Sequence, residues 1–146
     1  MSHRSLIESF YAANGPMADD ATLERVFHPD FVSHTSPPET PPGLPTAIDL
    51  RDFLSATFSD VEYRLVEVAA DGDLVATRTR VSAVHTGDTF GFPGTRRRFE
   101  VDQMHVMRFA DDGRVVEHWG VRDDLSMMRQ IGAVVALTEP VAAETA

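Results

Sequence analysis

The 146-residue chain contains no cysteine and no lysine; its thirteen basic residues are all arginine. Without cysteine it has no thiol nucleophile, disulfide or thiolate metal site. Without lysine it cannot form a Schiff base or anchor pyridoxal phosphate. A phosphate-cradling P-loop, which needs lysine, is excluded too. Gly-x-Gly-x-x-Gly and Gly-x-Ser-x-Gly are both missing. No apolar run approaches the roughly 20 residues of a membrane span. The first residues, Met1 to Glu8, show no h-region, so a secretory signal is not expected and the cytoplasm is the default location. A net charge of −10 disfavours nucleic acid as a partner. The one basic cluster, Arg96-Arg97-Arg98, reads as an exposed strand edge.

What is present is an ordinary globular composition, 42% hydrophobic and 25% charged, in a length that suits one domain. The chemical toolkit comprises six histidines, the carboxylates, tyrosine, serine, threonine and arginine. The domain is expected over residues 1–132, with 133–146 as a C-terminal tail that docks or stays loose.

The first half has helical spacing. Leu6, Ile7, Phe10 and Tyr11 mark a helix over 4–14, ended by Gly15-Pro16. Asp19 or Asp20 can cap a second short helix that buries Leu23, Val26 and Phe27 and stops at His28-Pro29-Asp30. Phe31 to His34 then runs into a proline-rich loop, Pro37 to Pro45. A third helix over about 45–58 presents Ile48, Leu50, Phe53, Leu54 and Phe58. Beyond it the period becomes two, with strands near 60–70, 73–86, 96–109 and 114–122. Asp71-Gly72-Asp73 and Asp111-Asp112-Gly113 are hairpin turns, and 86–95 is a longer connection. A last helix runs from about Asp124 to Ile131. Helices first and antiparallel strands after is an α+β pattern. A curved sheet with about three helices across one face would enclose a pocket for a small apolar ligand.

On strand 96–109, Phe99, Val101, Gln103, His105, Met107 and Phe109 share one face, an apolar surface carrying one imidazole and one amide. On strand 114–122, Val115, Glu117, Trp119 and Val121 oppose Val116, His118, Gly120 and Arg122. Similar polarity leaves the inward face open, and a bulge would flip it. His34, before the proline-rich loop, is a candidate for a pocket mouth. No His-x-His or His-x-x-x-His pair supports a metal site.

Three stretches together resemble the SnoaL-like polyketide cyclases: Phe27-His28-Pro29-Asp30-Phe31-Val32-Ser33-His34, Thr86 to Arg96, and His105 to Arg108 continuing through Glu117-His118-Trp119, Asp123 and Met128 to Gly132. The resemblance spans about residues 5–132. It implies a cone of the nuclear-transport-factor-2-like (NTF2-like) type, usually oligomeric; Met104 and Val106 on the other face of strand 96–109 would prefer cover, so a homodimer or higher homo-oligomer is expected. It also implies a pocket without cofactor for a polyketide-sized, largely apolar substrate. In ring-closing members a pocket Asp acts as acid/base in an aldol condensation with histidines nearby. By motif match His34 and His105 fall on the pocket histidines.

The chain departs from the pattern directly after Trp119, where the family Asp is replaced by Gly120. If position 120 points inward, so does His118, which becomes the replacement acid/base. Asp123 is the other candidate, with helix capping as its plainer role. The expected catalytic set is therefore His34, His105, His118 and Asp123. The expected substrate contacts are Tyr11, Phe31, Phe53, Phe92, Gln103, Met107, Trp119 and Gly120. A cyclase or isomerase is the leading expectation, by proton transfer or by folding a polyene for pericyclic closure. A non-catalytic binding protein is the alternative. An epoxide or lactone hydrolase ranks lower, because Asp102 lies on the face opposite His105.

Overall fold

The computed structural model describes residues 1–88, 91 and 93–133. The C-terminal tail 134–146 and Phe92 lie outside the described residues. The order is α1 (His3–Ala12), a short 3-10 helix (Gly15–Met17), α2 (Asp20–Val26), β1 (Phe27–Ser33), α3 (Leu44–Thr57), β2 (Phe58–Asp71), β3 (Leu74–His85), β4 (Arg98–Phe109), β5 (Val115–Arg122) and α4 (Asp124–Gln130). Side-chain oxygens begin three of the helices. Ser2 accepts from the Ser5 amide, Asp19 from Thr22 and Asp123 from Ser126. These caps satisfy amides that have no partner within the helix.

The strands form one curved, mostly antiparallel sheet in the order β1-β5-β4-β3-β2, giving an α+β, NTF2-like fold. Register irregularities in β2 between Ser59 and Glu62 and between Leu65 and Glu67 bend its long hairpin with β3. The inner face of the sheet packs against α1, α2 and α3 around Ile7, Phe10, Leu23, Val26, Val75 and Val115. Shortening one of these side chains to Ala costs about 2–5 kcal/mol by the usual transfer and cavity terms.

The sequence reading missed β1 as a strand and did not foresee the parallel pairing. Helix α2 ends at Val26, and Phe27 already belongs to β1, which runs parallel to β5. Pro29 is tolerated because β1 is an edge strand, where a missing N–H disturbs only one ladder. The apolar side expected of α3 is divided: Leu54 is buried, whereas Leu50 and Phe53 are 38% and 46% exposed, and Phe58 has passed into β2. The expected turn glycines, Gly72 and Gly113, take φ of 59° and 82°. Arg96, Arg97 and Arg98 are exposed.

Candidate functional site

Between the helices and the sheet lies a cavity of about 690 Å³, within the size range of small-molecule sites. Phe10 and Tyr11 of α1, Phe31 of β1, Phe53 of α3 and Tyr63 of β2 supply aromatic lining. Leu50 and Phe53 are partly exposed because they form a lip of its mouth. One wall is polar, where β4 and β5 contribute Gln103, His105, His118 and Arg122 and the edge of β1 adds Ser33; Thr40, Thr46 and Asp49 add polar groups from the proline-rich loop and α3.

A bulge makes this wall. Phe109 pairs with Val115, but Arg108 pairs with Glu117, so Val116 is the extra residue. Val115 consequently points into the core, and from Glu117 onward the even-numbered positions face the cavity. Within this register Met107 lies opposite His118, His105 opposite Gly120 and Gln103 opposite Arg122. On the other side of β5, the parallel pairing sets Ser33 beside His118.

These residues form a continuous chain of hydrogen bonds. Ser33 Oγ lies 2.8 Å from His118 Nδ1, His118 Nε2 lies 2.9 Å from His105 Nδ1, and His105 Nε2 lies 3.0 Å from Gln103 Oε1. The amide oxygen can only accept, so His105 carries its proton on Nε2 and offers a lone pair at Nδ1. His118 must then donate from Nε2 and accept at Nδ1, where the Ser33 hydroxyl donates. The tautomers thus follow from the Gln103 amide orientation. Gly120 allows the contact: a Cβ there would stand 2.8 Å from His105 Nδ1 and 3.2 Å from His118 Cε1.

Both imidazoles are neutral at pH 7. Burial, followed by the charge of Arg122, lowers His105 to about 4. Burial first, then His105, His34 and Arg122, lowers His118 to about 3. Burial raises the Tyr11 phenol to about 12, and burial together with Tyr11 raises Tyr63 further. The wall therefore presents neutral proton acceptors and donors beside one permanent cation, Arg122. Arg122 makes a 3.2 Å ion pair with Asp124 near solvent.

Of the expected site residues, the cavity gathers His105, His118, Tyr11, Phe31, Phe53, Gln103 and Met107, with Gly120 between the two imidazoles. Three others lie elsewhere. His34 follows Ser33 by one residue and so faces the opposite side, where its Nε2 is 2.8 Å from Glu117 and its ring stacks on Trp119. It borders a cleft of about 220 Å³ under the proline-rich loop, which shares Ser33, Ser36, Pro37, Thr40 and Thr46 with the main cavity. Trp119 is placed on the outer face by the same alternation, with the Arg108 guanidinium 5.8 Å from its ring. Asp123 caps α4. Asp102, the carboxylate considered for hydrolysis, is held on the outer face by Arg78 and Arg80. Among the described residues no group of three or more His, Asp or Glu is arranged to hold a metal ion.

Sequence reasoning missed Ser33, Tyr63 and Arg122. Arg122 was visible in principle, since it shares a strand face with His118 and Gly120. Ser33 was not, because its role depends on the unforeseen β1–β5 pairing.

The fold agrees with that of known proteins. The SnoaL-like polyketide cyclase family matches residues 6–131. The chain belongs to this family. It is 32% identical over 127 residues to nogalonic acid methyl ester cyclase of Streptomyces nogalater, covering 83% of this chain and 90% of that one. Among solved structures, IdmH, a putative polyketide cyclase from Streptomyces antibioticus, superposes with a TM-score of 0.76 at 31% identity, covering 90% of this chain and 99% of that one. TsrD from Streptomyces laurentii gives 0.77 at 27% identity, covering 90% and 95%.

Proposed function

We propose that this SnoaL-like chain is a cofactor-independent cyclase that closes a ring in a largely apolar, polyketide-like molecule by proton transfer. The observation that carries this reading is the hydrogen-bonded pair of neutral imidazoles, His118 and His105, inside an apolar cavity. Ring closure of the aldol type removes a proton beside one carbonyl and delivers a proton to the oxygen of another. A neutral imidazole can accept the first, and a neutral N–H can supply the second. The Arg122 guanidinium and the Tyr11 and Tyr63 hydroxyls suit a developing enolate, since donors fixed in an apolar site stabilise charge that appears only in the transition state. The low affinity of His118 for protons in the empty cavity is no bar. An enolate formed beside it supplies the opposite charge that burial withholds.

The first substrate to test is nogalonic acid methyl ester, named for the relative. Ring closure gives an isomer of unchanged mass, resolved by chromatography. His118→Ala and His105→Ala are each expected to lose most turnover, and unchanged turnover in both removes these residues from the mechanism.

The apolar lining also favours a second reading, in which the pocket only folds its substrate and proximity does the work. Both readings give a flat rate between about pH 5 and 8, because His118 and His105 titrate near 3 and 4. They separate below pH 5, where proton transfer fails as the imidazoles charge and folding alone does not. Binding without turnover would instead support a ligand-binding role on the same scaffold.

For assembly we propose a homodimer through the outer sheet face. Met104, 60% exposed, lies across from Val121, 74% exposed, and Val106 lies across from Trp119. Interspersed Arg78, Arg80, Glu100 and Asp102 give the surrounding surface both signs of charge, which a two-fold contact can match to itself. Sedimentation of the native chain and Met104→Glu tests this: dimer against monomer is the expected result.

A further inference from the structure

The hydrogen-bond chain on the cavity wall has two ends, and both reach the cavity. One is His118 Nδ1, covered by the Ser33 hydroxyl; the other is His105 Nε2, covered by the Gln103 amide oxygen. Ser33 has a second partner, since its Oγ also lies 2.9 Å from Thr35 Oγ1. Its hydroxyl can therefore turn to Thr35 and uncover the His118 lone pair without losing its hydrogen bond.

We infer that His118 and His105 work as one two-site relay, taking a proton at His118 Nδ1 and releasing another at His105 Nε2, with Ser33 as its latch. This deepens, and rests on, the proton-transfer reading above. A substrate C–H bond breaks and an N–H bond forms at His118 Nδ1. The proton on His118 Nε2 passes to His105 Nδ1. The proton on His105 Nε2 passes to a substrate carbonyl oxygen that displaces the Gln103 oxygen. The carbon left with the electron pair either remains as an enol or attacks the carbonyl whose oxygen has been protonated. One proton enters, one leaves, and neither imidazole holds net charge when the sequence is complete.

The relay accounts for Gly120. One carboxylate can carry a proton from carbon to oxygen only by moving between them or by touching both. Two linked imidazoles connect two separate points of the substrate without movement. Glycine at position 120 leaves room for that contact, since a Cβ would stand 2.8 Å from His105 Nδ1 and force the ring to shift. After turnover both tautomers are reversed. That state is also fully bonded, with His118 Nδ1 donating to Ser33 and a turned Gln103 amide donating to His105 Nε2. Water in the open cavity restores the starting state by removing the proton at His118 Nδ1 and returning one at His105 Nε2.

Two reactions test the relay. One is closure of nogalonic acid methyl ester. The other is keto–enol interconversion of 1-phenylbutane-1,3-dione, a net carbon-to-oxygen proton transfer followed by ultraviolet absorbance. The native chain is expected to accelerate both. His105→Gln keeps a hydrogen bond to His118 but cannot pass a proton, so it should lose 100-fold or more. Glu67→Gln, at an exposed ion pair with Arg78 away from the cavity, should stay within a few-fold of native. The solvent isotope effect should curve with deuterium fraction, as two or more protons in flight require. If His105→Gln retains native rates, or the isotope plot is linear, the relay is overturned while cyclisation stands. If the diketone is interconverted with this mutational pattern but the ester is not closed, the relay stands and the cyclase reading falls. No acceleration of either reaction overturns both.

Discussion

Strand β5 carries two histidine networks back to back, and they differ in almost every physical respect. On the outside Glu117 receives His34 at 2.8 Å and Arg108 at 3.4 Å, while Trp119 stacks on His34. One residue further along, on the inside, His118 joins His105, Ser33 and Gln103 with no carboxylate in the chain. The outer network is charged, exposed and redundant, so solvent can replace each contact. The inner one is neutral and largely buried, and each bond fixes the direction of the next. Proximity of histidine to an acidic residue would have favoured the outer group as the active site; burial and the lack of a carboxylate bonded to either imidazole favour the inner one.

The largest expected contrast is in turnover. His118→Ala should reduce kcat/KM for ring closure by about 10²–10⁴, the usual worth of a positioned acid or base. His34→Ala should stay within about three-fold, as expected of an exposed partner. Equal losses would dissolve the distinction. Gly120→Val should follow, because its Cβ separates the two imidazoles. Overpacking of this kind costs about 1–3 kcal/mol, readable by denaturant titration, and turnover should fall with it. Wild-type stability after Gly120→Val would show that the wall has room to spare.

Acid sensitivity gives a smaller contrast. The folded values of about 4 and 3 for His105 and His118 lie below the unfolded value near 6.5. Between those limits the unfolded chain binds more protons, so stability is highest above pH 6.5 and falls as pH drops toward 3. The slope is about 1.4 kcal/mol per pH unit for each proton taken up on unfolding. Thermal melts of a His105→Phe, His118→Phe double variant should show a shallower decline over pH 6.5 to 4. Least of all, Glu117→Gln should shift stability by under about 1 kcal/mol, and less in high salt.

Much of this contrast was readable from residue order alone. The alternation on β4 separated Gln103, His105 and Met107 from Asp102 and Met104, and the structure keeps that separation. The resemblance drew attention to Gly120 and hence to His118. The structure turns His34 and Trp119 to the other side of their strands from His118, for one reason. Neighbouring strand residues face opposite ways, so knowing that a segment borders a cavity leaves its parity undecided. That parity was set by an extra residue, Val116, and by a parallel strand that Pro29 had concealed. Ser33 entered the site only through those two features.

The central claim, that the inner histidines act as one unit, is tested most directly by a double-mutant cycle on ring closure. Rates are measured for the native chain, His118→Ala, His105→Ala and both together. A unit broken by either change predicts that the double variant is no slower than the slower single one, as for catalytic groups that work in concert. Losses that multiply, or a single variant that keeps native turnover, would contradict it.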